Sequence, residues 1–201
     1  MGLRNNTIFC IISDHGEGFG EHGQFAHEGL GFEETTHVPW ILRAPNLIHS
    51  GSKITEPVGS VDVTPTLLSL LGFDITSENF DGLNALGSIP PDRKVNFVGG
   101  MYYGPTGFIQ GNIKYFYDEV TNTLCAYDLA EDPFEKDLLA LPSDLARTII
   151  DEIKQWRKSH TFAVDKNRKG KLTVYDNWLI TWSSTICRTK FVPSSSFVKS
   201  N

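Results

Sequence analysis

The chain has 201 residues, 40% of them apolar and 21% charged, which is the composition of a folded globular protein and not of a disordered one. No apolar run reaches the ~18 residues that a membrane-spanning helix requires, and no basic and apolar leader follows Met1. The three cysteines, Cys10, Cys125 and Cys187, are widely spaced, which excludes both a disulfide-dense scaffold and a CxxC zinc knuckle. The net charge of -6 is unevenly spread: residues 157–201 hold half of the 18 Lys and Arg, against Asp165 and Asp176. Such a basic tail can attract polyanions, but a solvated tail after the last helix is the expected reading, and no nucleic-acid partner is expected.

Residues 7–13 form a continuous β-prone run, Thr-Ile-Phe-Cys-Ile-Ile-Ser, and predict a strand buried on both faces. Asp14-His15-Gly16 ends it. The chain then stays rich in Gly, His and Glu as far as Gly31, which predicts a loop. A short helical turn is expected at 32–36 and a second strand over 38–43, with Pro39 confined to its start. Asp62 is placed to cap a helix over 63–71, with Pro65 in the first turn and Gly72 just past the end. Residues 74–94 read as loop.

Four short strands are expected at 95–99, 107–110, 113–118 and 123–128, joined by turns at Asn112 and Glu119–Thr123 in an antiparallel meander. A helix capped by Ser143 and running to about Lys158 would place Leu145, Ile149, Ile153 and Trp156 on one face. Residues 159–171 are polar and basic, and 172–186 turn apolar again. The fold class is therefore α/β, with a sheet-and-helix part at residues 1–90, a small antiparallel-sheet part with its helix at 91–158, and a tail at 159–201.

Five of the six histidines lie within residues 15–49, and the sharpest cluster is Asp14-His15 followed by His22, His27 and His37. Asp14 and His15 sit where a strand ends, and ligands of open α/β sheets gather beyond the carboxyl ends of strands. A carboxylate oxygen and an imidazole nitrogen at one turn can share a divalent cation, although such sites need three or more ligands. His27, returned by a folded-back loop, can hydrogen-bond an anionic oxygen or take part in proton transfer. His22 is expected to be a solvated loop residue and His37 to be structural.

The pieces Ser13-Asp14-His15-Gly16-Glu17, Gly20-Glu21-His22-Gly23, His27-Glu28-Gly29, Phe32-Glu33-Glu34, His37-Val38-Pro39 and Arg43-Ala44-Pro45 resemble, in order and spacing, the sulfatase family of the alkaline-phosphatase-like superfamily. Val61-Asp62-Val63-Thr64-Pro65-Thr66-Leu67-Leu68 is similar to that family's Asp-x-x-Pro-Thr-Leu-Leu helix. Ile113-Lys114-Tyr115, Tyr127-Asp128-Leu129 and Asp132-Pro133-Phe134-Glu135 resemble its C-terminal signature. The resemblance implies the C-terminal part of a mixed or parallel superfamily sheet with helices, followed by a small antiparallel sheet packed with a C-terminal helix.

It also implies roles. Asp14 and His15 match a metal-binding pair, with calcium the usual cation. His27 falls where many sulfatases place a lysine against the ester's anionic group, making it the catalytic and substrate-binding candidate toward a sulfate ester. A histidine there also resembles the phosphoethanolamine transferases, and His37 stands where sulfatases often have arginine. The alternative is thus a phosphodiesterase or phosphoryl transferase using zinc or manganese. The family's nucleophile, a Cys or Ser in Cys/Ser-x-Pro-x-Arg that becomes formylglycine, has no match around Cys10, Cys125 or Cys187. The expectation is a C-terminal segment whose partner is a missing N-terminal part of the same fold, inactive alone, with a non-catalytic truncated fragment as a further alternative. Complete members of the family are often secreted, lysosomal or periplasmic.

Overall fold

A computed structural model describes residues 3–25, 27, 31–99 and 104–160, together with the backbone of 186–189. Strand β1 (Phe9–Ile12) pairs antiparallel with β2 (His37–Arg43), in a register that sets Phe9 opposite Arg43 and Ile12 opposite Trp40. The two-residue periodicity of β2 turns Val38, Trp40 and Leu42 into the core, where they meet Val58 and Ala85. The Trp40 indole N–H donates to Cys10 Sγ at 3.3 Å, so the one polar atom of that buried ring is satisfied.

The expectation that β1 is buried on both faces does not hold. Ile8, Cys10 and Ile12 pack toward the core, while Phe9 and Ile11 on the opposite face stay 52% and 45% exposed. An apolar run is buried on both faces only where a layer covers each, and among the described residues β1 also lies at the edge of the order β1-β2-β8-β3. Here β3 is Val58–Gly59 and β8 is Ile186–Thr189, which runs parallel to β2 and antiparallel to β3. The sheet is therefore mixed. The remainder of the apolar stretch at 172–186 and of the basic tail lies outside the described residues.

A short 3-10 turn (Ser60–Asp62) leads into helix α2 (Val63–Leu70). Asp62 stands at the N-cap but does not cap the helix with its side chain. Its buried carboxylate accepts instead from Gly59 N–H, Leu83 N–H and both Arg93 Nη atoms. The helix ends as the sequence predicts. Gly72 takes φ +84°, Gly72 N–H donates to Ser69 O, and Phe73 N–H reaches back to Leu68 O. That pair of bonds satisfies carbonyls the last turn would otherwise strand.

The meander forms as read: β4 (Lys94–Val98), β5 (Thr106–Gln110), β6 (Ile113–Asp118) and β7 (Thr123–Asp128) are antiparallel neighbours in sequence order. One side of the sheet buries Val95, Phe97, Ile109, Phe116, Tyr127 and Leu129. On the other, Phe108 and Tyr117 pack against Ile149 and Ile153 of helix α3 (Ser143–Ser159). Burying each such isoleucine contributes about 1.5–3 kcal/mol. Pro142 occupies the N-cap position and Ser143 is the first helical residue, so the expected serine cap is displaced by one. Leu145, at the outer end of the expected face, is 44% exposed.

Candidate active site

Beyond β1 the chain turns sharply. Ser13 Oγ donates to His15 O at 2.7 Å, and His15 N–H donates to Asp14 Oδ1 at 3.1 Å. These local bonds set Asp14 Oδ2 3.7 Å from His15 Nε2. His15 Nδ1 lies 2.8 Å from Gly16 O. A carbonyl only accepts, so Nδ1 carries a proton, and in the neutral ring Nε2 keeps its lone pair. A carboxylate oxygen and an imidazole lone pair at this separation are placed as two neighbouring donors of one cation would be. The anchored Nδ1–H is the arrangement that orients metal-binding histidines. The chemistry of the pair thus fits a divalent cation. Among the described residues no set of three or more His, Cys, Asp or Glu is arranged to complete such a site.

The third predicted residue joins the pair. The rings of His15 and His27 stack with centroids 4.4 Å apart and planes 16° from parallel. His27 Nδ1 lies 3.1 Å from Glu17 Oε2, so a proton on Nδ1 leaves Nε2 as the outward acceptor. All four side chains, Asp14, His15, Glu17 and His27, reach solvent.

The turn rests on helix α1 (Glu33–Thr36). Gly16 N–H donates to Thr35 O at 2.9 Å. A Cβ at position 16 would lie 2.0 Å from Glu34 O, so only glycine admits this approach. On its far side α1 meets a buried polar cluster. Lys114 Nζ from β6 donates to Glu33 Oε1 and Thr36 Oγ1, each at 3.0 Å, and lies 2.9 Å from Glu135 Oε1. Glu135 Oε2 accepts from Glu33 N–H at 2.5 Å. Burial raises the Glu33 carboxyl's pKa, but the hydrogen bond from His37 and the Lys114 charge outweigh it and hold the group at about 2. Glu135 goes the other way: burial pushes its carboxyl up, and Lys114 only partly offsets this.

His22 is not the solvated loop residue expected. Its Nδ1 lies 2.7 Å from Glu34 Oε1 and its Nε2 3.3 Å from Glu135 O, and its ring stacks on Phe32 at 3.7 Å. His22 therefore fastens the glycine-rich loop to α1 and to the turn carrying Glu135. Glu17, Glu33, Glu34 and Glu135 received no site role from sequence. The readable signals were the motifs that contain these glutamates and Lys114, a charged residue at an inward position of a strand.

Residues 1–73 match the family model described as sulfatase. The arylsulfatase K of Danio rerio is 37% identical over 95 residues, 47% of this chain and 17% of that protein. A sulfatase of Formosa agariphila is 42% identical over 74 residues, 37% of this chain and 14% of its own length. The chain thus spans well under half the length of the curated relatives it matches. A solved structure described as a 2-O GAG sulfatase superposes with a TM-score of 0.57 at 22% identity, covering 80% of this chain and 37% of that one. The similarity to sulfatases is thus carried by residues 1–73, and the mixed α/β architecture is the fold of this solved sulfatase structure.

Proposed function

We propose that this chain forms part of a sulfuric ester hydrolase, in which Asp14 and His15 contribute two ligands to a divalent cation and His27 faces the ester. The observation that supports this most is the His15 tautomer: Nδ1–H is spent on Gly16 O, and Nε2 opens toward Asp14 Oδ2. A cation bound there supplies Lewis acidity toward the sulfate oxygens, with calcium the cation expected for this family. Asp14 brings the anionic oxygen, and the Gly16 contact with α1 holds the turn in place. His27, steadied by Glu17 and by its stack on His15, presents Nε2 to take up a proton and, once protonated, to donate to an ester oxygen. The nucleophile would be a formylglycine from the Cys/Ser-x-Pro-x-Arg motif, which is not among these 201 residues.

Calorimetric titration of the 201-residue chain with calcium, zinc and manganese tests the assignment. Weak binding is expected, since two protein ligands leave most positions to water. Asp14→Ala should abolish it. Tight binding indifferent to that change would reject the site.

A further inference from the structure

Lys114 has no part in the chemistry above, yet its side chain is fully withdrawn from solvent. Lysine is almost never buried this way unless it is paired, and its pairing here is directional. Of the three groups around Nζ, two belong to α1 (Glu33 Oε1 and Thr36 Oγ1), and the third is Glu135 Oε1. Glu135 in turn receives Glu33 N–H, one of the donors that a helix start leaves without a partner. Helix α1 has four residues and no side-chain N-cap bond, so it is too short to persist on its own. Its far side carries Thr35 O, which receives Gly16 N–H, and Glu34 O, which lies against the Gly16 Cα. Lys114 and Glu135 thus hold one side of a marginal turn whose other side seats Asp14-His15-Gly16.

Buried ionic groups are a weak source of stability compared with apolar ones of equal volume. What they add is a fixed geometry. We propose that Lys114, with Glu135, is a positioning residue for the Asp14–His15 pair, acting through α1. The proposal rests on the reading of that pair as cation ligands.

The test uses the full 201-residue chain in Lys114→Met, Glu135→Gln and, as a control at a second buried ion pair, Arg93→Lys. Glu135→Gln keeps an acceptor for Glu33 N–H, so it decides the matter if Lys114→Met does not fold. Calcium affinity is read by calorimetry, and the His15 and His27 ring signals by NMR. Lys114→Met and Glu135→Gln should weaken calcium binding at least tenfold and move both ring signals. Arg93→Lys should lower the melting temperature and change neither. Wild-type affinity and unmoved ring signals in the first two variants would overturn the proposal. So would losses in all three that follow melting temperature, since Lys114 would then be merely structural. If the wild type binds no calcium but the ring signals still respond to Lys114→Met and Glu135→Gln alone, positioning stands and the cation assignment fails.

Discussion

Arg93 grips Asp62 through two hydrogen bonds, Nη1 to Oδ2 at 2.9 Å and Nη2 to Oδ1 at 2.6 Å, and the Asp62 side chain is sealed from water. The same carboxylate gathers Gly59 N–H and Leu83 N–H, so it ties the start of α2 to the loop at 83 and to the residue before β4. Removing the cation leaves a buried anion with backbone partners only. Arg93→Met is expected to cost about 3–5 kcal/mol. Urea unfolding of wild type and variant measures it, and a loss below 1 kcal/mol would show that the backbone donors suffice.

The carboxylates around Lys114 predict opposite pH dependences. Glu33 sits near 2 in the folded chain against an ordinary 4.5, so the unfolded chain binds its proton first. Its contribution is complete above about 4.5 and is lost as the pH falls toward 2. Glu135 is raised by burial, so the folded chain holds that proton longer, and stability declines as the pH rises above the ordinary glutamate value. Glu33→Gln should flatten the acid limb, and Glu135→Gln should remove the decline above it. Melting temperatures from pH 2 to 8 separate the two. Identical profiles in both variants would contradict the assignment.

Gly16→Ala places a methyl group against Glu34 O, at a distance no real contact reaches. Backbone lies on both sides of that contact, so relief requires the Asp14 turn or α1 to move. Cation binding should be lost even at temperatures where circular dichroism shows the chain folded. Unchanged binding in Gly16→Ala would mean the turn does not depend on this docking.

The 201-residue chain alone is expected to hydrolyse no aryl sulfate, because covalent catalysis without its nucleophile loses most of its rate. Robust turnover that disappears with Asp14→Ala would overturn this expectation. In a complete enzyme containing this segment, His27→Ala should lower turnover about 10²-fold or more. Parity with wild type would make His27 a bystander.

Much of this architecture is legible in the sequence because its signals are local. The Asn112 turn and the strand alternation placed β5 and β6, and Gly72 marked the end of α2. The Asp14–His15 turn was equally plain, since a strand run ends there. What stayed hidden depends on long-range contact. His22 meets Glu135 O across 113 positions, and Lys114 meets Glu33 across 81. No periodicity encodes such meetings. Likewise, Asp62 looked like a helix cap because its neighbours fit one, while its actual partner Arg93 lies 31 residues on.

The contact between Lys114 and α1 also bears on how the chain can be divided. Apart from β8, the strands of the two sheets fall on either side of residue 90 and resemble modules that could be produced separately. Cut there, the first piece keeps Glu33 without its lysine, and the second keeps Lys114 with Glu135 but without Glu33 and Thr36. Each piece would expose a charged group that the intact chain encloses. The boundary is one of connectivity and not of autonomy. Split-protein designs, domain swaps with relatives and insertions between the halves must therefore carry Glu33, Thr36, Lys114 and Glu135 as one inherited set.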